Sequence, residues 1–186
     1  MKSAKILPII GLLLLPLASL AQQAQQVQVK SGESPMDGES FVQMSVNALS
    51  PYTLSFGSLF TPVLQVQCKQ KGSTRKLDVY FLSGGVDRSR TYVTKSFFST
   101  APYSTDLRVK MDSVKPSTRI WGVMNDNSTL AYTVTNGKSK DGFAKDILKA
   151  GVVYIEFRPN ASTANVVAEF DVRGLQPEFT RHQECK

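Results

Sequence analysis

From Phe41 onward, apolar and polar residues alternate with a period of two, the pattern of strands buried on one face. Val42, Met44, Val46 and Ala48 alternate with Gln43, Ser45 and Asn47. Leu64, Val66 and Cys68 alternate with Gln65, Gln67 and Lys69, and Leu77, Val79 and Phe81 continue the rule after a turn at Lys71-Gly72-Ser73. These two runs predict a hairpin with Cys68 turned inward. Asp106 to Asp112 alternates most regularly, with Leu107, Val109 and Met111 on one side and Arg108, Lys110 and Asp112 on the other. Arg119 to Met124 and Thr129 to Val134 flank the turn-type cluster Asn125-Asp126-Asn127. Val153, Ile155 and Phe157, then Val166, Ala168, Phe170 and Val172, complete the series around a turn at Pro159 to Ser162.

One segment breaks the period. Asp141 to Lys149 sets Phe143, Ile147 and Leu148 on one side of a helix, with Gly151 as its expected stop. A short turn or helix over Leu175 to Gln183 would carry Cys185 back toward the sheet. Short strands with half-polar faces and little helix predict a mostly β fold, an antiparallel two-sheet sandwich with one short helix; a partly open β-barrel is the alternative. The folded unit is expected at 34–186 as a single β domain. Residues 22–33, rich in glutamine, read as a flexible lead-in.

The start of the chain changes the picture. Lys2 and Lys5 precede an apolar run from Ile6 to Leu20 broken only by Pro8, Gly11, Pro16 and Ser19, and Ser19-Leu20-Ala21 puts small residues where a leader peptidase reads them. This is the pattern of a secretory signal peptide cleaved near Ala21, and the run falls short of the ~20 residues a spanning helix needs. The mature chain is expected in the periplasm or outside the cell, with no membrane span. An even pair of cysteines, Cys68 and Cys185, is then expected to be joined. A loop of that length stabilises by roughly 4–5 kcal/mol at most.

The chain carries a formal charge of +7, which falls to +5 without Lys2 and Lys5. Its basic residues read as scattered: Lys69, Lys71, Arg75 and Lys76, then Arg88, Arg90 and Lys95, then Lys138, Lys140, Lys145 and Lys149. A solvated surface explains them, and attraction to an anionic envelope polymer is the sharper reading. The expected partner is a protein or such a polymer; nucleic acid is not expected.

Catalytic chemistry finds little support. The lone histidine, His182, stands in a polar tail, without the cleft a nucleophilic triad requires. Glu156, Glu169 and Asp171 read as outward residues forming cross-strand pairs beside Arg158 and Arg173 rather than as glycosidase carboxylates. Gly84-Gly85 lacks the Lys-Ser/Thr step of a phosphate loop. Two cysteines and one histidine do not make a zinc site. No enzyme activity, metal or cofactor is expected. Trp121 reads as core. The best candidate for binding is the weakly periodic stretch containing Arg88, Arg90, Tyr92, Lys95, Phe97, Phe98 and Tyr103, since long loops on rigid scaffolds carry function.

The order of landmarks adds a resemblance. Ser34-Pro35-Met36-Asp37-Gly38-Glu39-Ser40 runs into a strand, followed by Leu64-x-Val66-x-Cys68, Arg108-Val109-Lys110-Met111-Asp112, Trp121, Ile155-Glu156-Phe157-Arg158-Pro159, Glu169 to Leu175, and Cys185. Over roughly 34–185 this resembles the VasI/TagO family of periplasmic proteins associated with type VI secretion. Many members carry a further cysteine-containing segment ahead of the Ser-Pro-Met-Asp stretch; here the glutamine-rich lead-in stands in its place. The resemblance implies an accessory or binding role in the envelope, no catalytic residues, and a cysteine pair matching Cys68 and Cys185. An inhibitor or immunity-type protein, inserting the loop from Arg88 to Lys95 into an enzyme, is the alternative; a cell-wall hydrolase is the third reading.

Overall fold

The computed structural model describes residues 25–34, 38–53, 57–84, 104–123, 129–132, 139–159 and 164–182. Among them are eleven strands and two helices: β1 (Gln28–Glu33), β2 (Ser40–Asn47), β3 (Tyr52–Thr53), β4 (Leu59–Phe60), β5 (Val63–Lys71), β6 (Thr74–Leu82), β7 (Ser104–Met111), β8 (Ser117–Val123), β9 (Thr129–Tyr132), α1 (Lys140–Lys149), β10 (Val152–Phe157), β11 (Val166–Asp171) and α2 (Leu175–Arg181). The expected signal peptide, Cys185 and the whole candidate loop from Arg88 to Tyr103 lie outside the described residues.

The fold is the expected mostly β, antiparallel sandwich, not closed into a barrel. Its layers belong to one hydrogen-bonded sheet of nine strands, in the order β1-β2-β5-β6-β9-β8-β7-β10-β11, with β3 and β4 as a separate ribbon. That sheet folds over on itself. Phe81 on β6 meets Phe157 on β10 at 5.0 Å between ring centroids and Phe170 on β11 at 6.1 Å, although neither strand is its neighbour in the sheet. Trp121, fully buried, stands edge-on to Phe81 at 6.3 Å and to Phe143 of α1 at 5.9 Å. The alternating apolar residues of β2, β5, β6, β7, β8, β10 and β11 fill the space between the layers, and the Leu49 N–H bonds the Glu169 carbonyl to link the halves.

α1 forms where the sequence places it. Ser139 caps it by accepting from the Gly142 N–H, and Phe143, Ala144, Ile147 and Leu148 are buried. Its first turn is tied to the sheet, the Leu77 N–H of β6 donating to Asp141 at 2.9 Å. The stop is Ala150 rather than Gly151. Ala150 is extended, its N–H bonds the Asp146 and Ile147 carbonyls, and no left-handed residue is needed. The turn after β7 does use one. Asp112 takes φ 48°, and its carboxylate accepts from the Gly151 and Val152 N–H groups, both at 2.9 Å.

The flexible lead-in is corrected over 28–33, which form an edge strand antiparallel to β2. Every residue of β1 is exposed, so burial periodicity had nothing to register. The strand is held by its ladder with β2, and the Phe41 ring lies over Gly32, 3.0 Å from where a Cβ would stand.

Candidate functional site

The outer face of the sheet carries the polar chemistry, and β7, β10 and β11 supply one half of it. Register places Arg108 opposite Glu156 and Lys110 opposite Tyr154; on the other side of β10, Glu156 meets Val167 and Tyr154 meets Glu169. The Arg108 guanidinium bonds Glu156 Oε2 at 2.8 Å, and Asn165 Nδ2 donates to Glu156 Oε1 at 2.8 Å. The Tyr154 hydroxyl donates to Glu169 at 3.3 Å, and Lys110 Nζ lies 5.2 Å from the centre of the Tyr154 ring. Partial burial and the Glu169 carboxylate hold the Tyr154 phenol above its ordinary range.

Glu156 has the expected cross-strand charge partner, Arg108, chosen by strand register across 48 residues. Asp171 is not an outward residue but 6% exposed, gripped by Nε and Nη2 of Arg173 and by the Gln25 N–H. The Arg173 guanidinium holds the Asp171 carboxyl below the usual carboxylate range. Glu156, Glu169 and Asp171 are thus all engaged in hydrogen bonds.

The hairpin of β5 and β6 differs. Gly72, at φ 56° in the first central position, makes the two-residue turn with Ser73 that fixes the register. Lys69 then stands directly opposite Lys76, and Lys71 opposite Thr74. Like charges directly opposed across a sheet are destabilising. Glu39 is the acidic residue lining this recess, 4.0 Å from Lys69 in a loose, partly exposed pair. Neither Lys71 nor Lys76 is paired with a carboxylate among the described residues. Lys69, Lys71, Thr74, Lys76 and Glu39 line a recess of about 270 Å³.

A second recess of about 320 Å³ lies where the β7–β8 turn meets the end of α1. Val109, Met111 and Ala150 form its floor, and its rim mixes Lys115, Arg119 and Lys149 with Asp112 and Asp146. Three cations there stand against two carboxylates, one of which, Asp112, accepts from the Gly151 and Val152 N–H groups.

Of the sequence candidates, Cys68 is buried on β5 and is not a free thiol. Trp121 is core, and His182 ends α2, half-buried. The lysine cluster was not singled out by the linear reading, which saw scattered charge. The overlooked signal is the two-residue turn: it makes Lys69 and Lys76 cross-strand partners by counting alone. No group of side chains that could hold a metal occurs among the described residues. No family model, curated protein or solved structure matches the chain.

Proposed function

We propose that this chain is a non-enzymatic exported protein of the bacterial envelope, a binding or accessory module that attaches to an anionic envelope polymer through the β5–β6 hairpin. The observation that carries the reading is the facing pair Lys69 and Lys76, with Lys71 beside them and Glu39 as the local counter-charge. A sheet that opposes like charges in a concave recess gains from an anion placed between them. The engaged carboxylates of the other half support a binding role over acid–base catalysis, since a general acid must give, and a general base take, a proton at a group that substrate can reach.

Export rests on the leader ending near Ala21, after which the mature chain works in the periplasm or outside the cell. In that compartment Cys68, buried on β5, is proposed to be bridged to Cys185. Association with type VI secretion rests on the VasI/TagO resemblance alone.

The direct test passes the purified mature chain over dextran sulfate and over uncharged dextran. Salt-sensitive retention on the first and none on the second is expected; equal behaviour on both would remove the polymer reading. The secretion role predicts that deleting the gene lowers type VI effector export, and undiminished export would discard it. Reductant is expected to lower the melting temperature markedly, whereas an unchanged Tm would show that the cysteines are not bridged.

A further inference from the structure

We infer that the recess on the β5–β6 hairpin is selective for phosphoryl groups over carboxylates, which makes the polymer of the proposed function a phosphate-bearing one. The inference rests on that reading and adds the chemistry of the repeating unit.

Three lysines and one hydroxyl build the site: Lys69, Lys71, Lys76 and Thr74. The hairpin's arginine, Arg75, lies opposite Gln70 and so belongs to the alternate, inward row. Planar carboxylates are matched best by the fork of a guanidinium, whereas ammonium groups act as compact point charges with freely rotating donors. Three lysines lining one recess from two strands suit an ion whose oxygens are arranged tetrahedrally and whose charge is dense. A phosphoryl group can face Lys69 and Lys76 at once, with Thr74 donating to a further oxygen. A carboxylate has two oxygens in one plane and leaves part of this set unused.

The site is also shaped in advance. The turn at Gly72 and Ser73 holds Lys71 and Thr74 opposite each other, and a nine-residue ladder fixes Lys69 against Lys76. Glu39 sits at 4.0 Å from Lys69 with both side chains about one-third exposed, 34% and 33%. Such a pair is weak and can yield to a stronger anion. Glu39 thus opposes ligand charge, and its removal should tighten binding.

The test is isothermal titration of the mature chain with sodium polyphosphate, with polygalacturonate of matched chain charge, and with inorganic phosphate. Polyphosphate is expected to bind at least about tenfold more tightly than polygalacturonate, a difference of ~1.4 kcal/mol. Inorganic phosphate is expected to compete weakly, which separates a polymer site from a free-phosphate site; if it binds as tightly per site as polyphosphate, the ligand is the free ion and the polymer reading fails. Equal affinity for both polymers would overturn the phosphoryl inference and leave polyanion binding standing. Binding of neither would overturn both. Lys76→Gln should weaken polyphosphate binding roughly fivefold and lower the salt slope by about one, while Glu39→Gln should strengthen it. Unchanged affinity in both variants, with unchanged Tm, would move the site elsewhere and overturn the assignment.

Discussion

The two halves of the sheet put the same kinds of side chain on their outer faces and use them differently. Along β7, β10 and β11, a cation meets a carboxylate or an aromatic ring: Arg108 bonds Glu156, and Lys110 lies over Tyr154, which in turn bonds Glu169. Along β5 and β6, Lys69 meets Lys76. The first arrangement adds a little to folding; the second detracts from it by a comparable amount. A protein optimised only for its fold would pair the charges in both places. The unfavourable pair in one half is the feature on which the proposed polyanion binding rests.

The largest test of this comparison concerns what the halves share. Trp121 touches Phe81 of one layer and Phe143 of the helix, so Trp121→Ala should lose about 3–5 kcal/mol. Urea unfolding followed by far-UV dichroism and by tyrosine fluorescence should show one coincident transition at lower midpoint. Two separated transitions would mean that the halves are independent and the comparison is between two units.

Next comes Asp171, the buried charge of the paired half. Asp171→Asn should lose about 1–2 kcal/mol near neutral pH by weakening the Arg173 and Gln25 bonds. Because its carboxyl is held below the unfolded value, its contribution is present above that value and disappears as pH falls through the lower, folded one. Stability of the native chain should therefore decline below roughly pH 4, and the Asn variant should decline less over the same window. Parallel acid curves would show that Asp171 contributes nothing.

The smallest effect discriminates most sharply between the two faces. Lys76→Glu places opposite charges across the hairpin and should raise stability by a few tenths of a kcal/mol while weakening polyanion binding. Glu156→Lys should lower stability by a similar few tenths by opposing Arg108 with a like charge. Denaturant midpoints that shift in the same direction for both would dissolve the distinction.

Much of this was legible from alternation alone. The strand positions, the inward direction of Cys68 and the buried faces of Trp121 and α1 follow from period two and period 3.6, because burial repeats along the chain as the backbone does. β1 was not legible, since an edge strand with every side chain exposed is held by main-chain bonds that leave no trace in hydrophobicity. The identity of the cross-strand partner of Glu156 was not legible either, because Arg108 is near only in register.

The amino-acid order by itself determined which face of each strand is buried, where the helix lies and that the chain turns around Gly72, since these depend on neighbours a few residues away. Only the tertiary structure decided that one sheet folds back to supply both layers and that Asp171 is buried under Arg173 and Gln25. It also decided that Arg108 and Glu156, far apart in sequence, meet as an ion pair. Those outcomes depend on which distant strands come to lie side by side, and pairing across long loops is set by the collective burial of the core rather than by any local pattern.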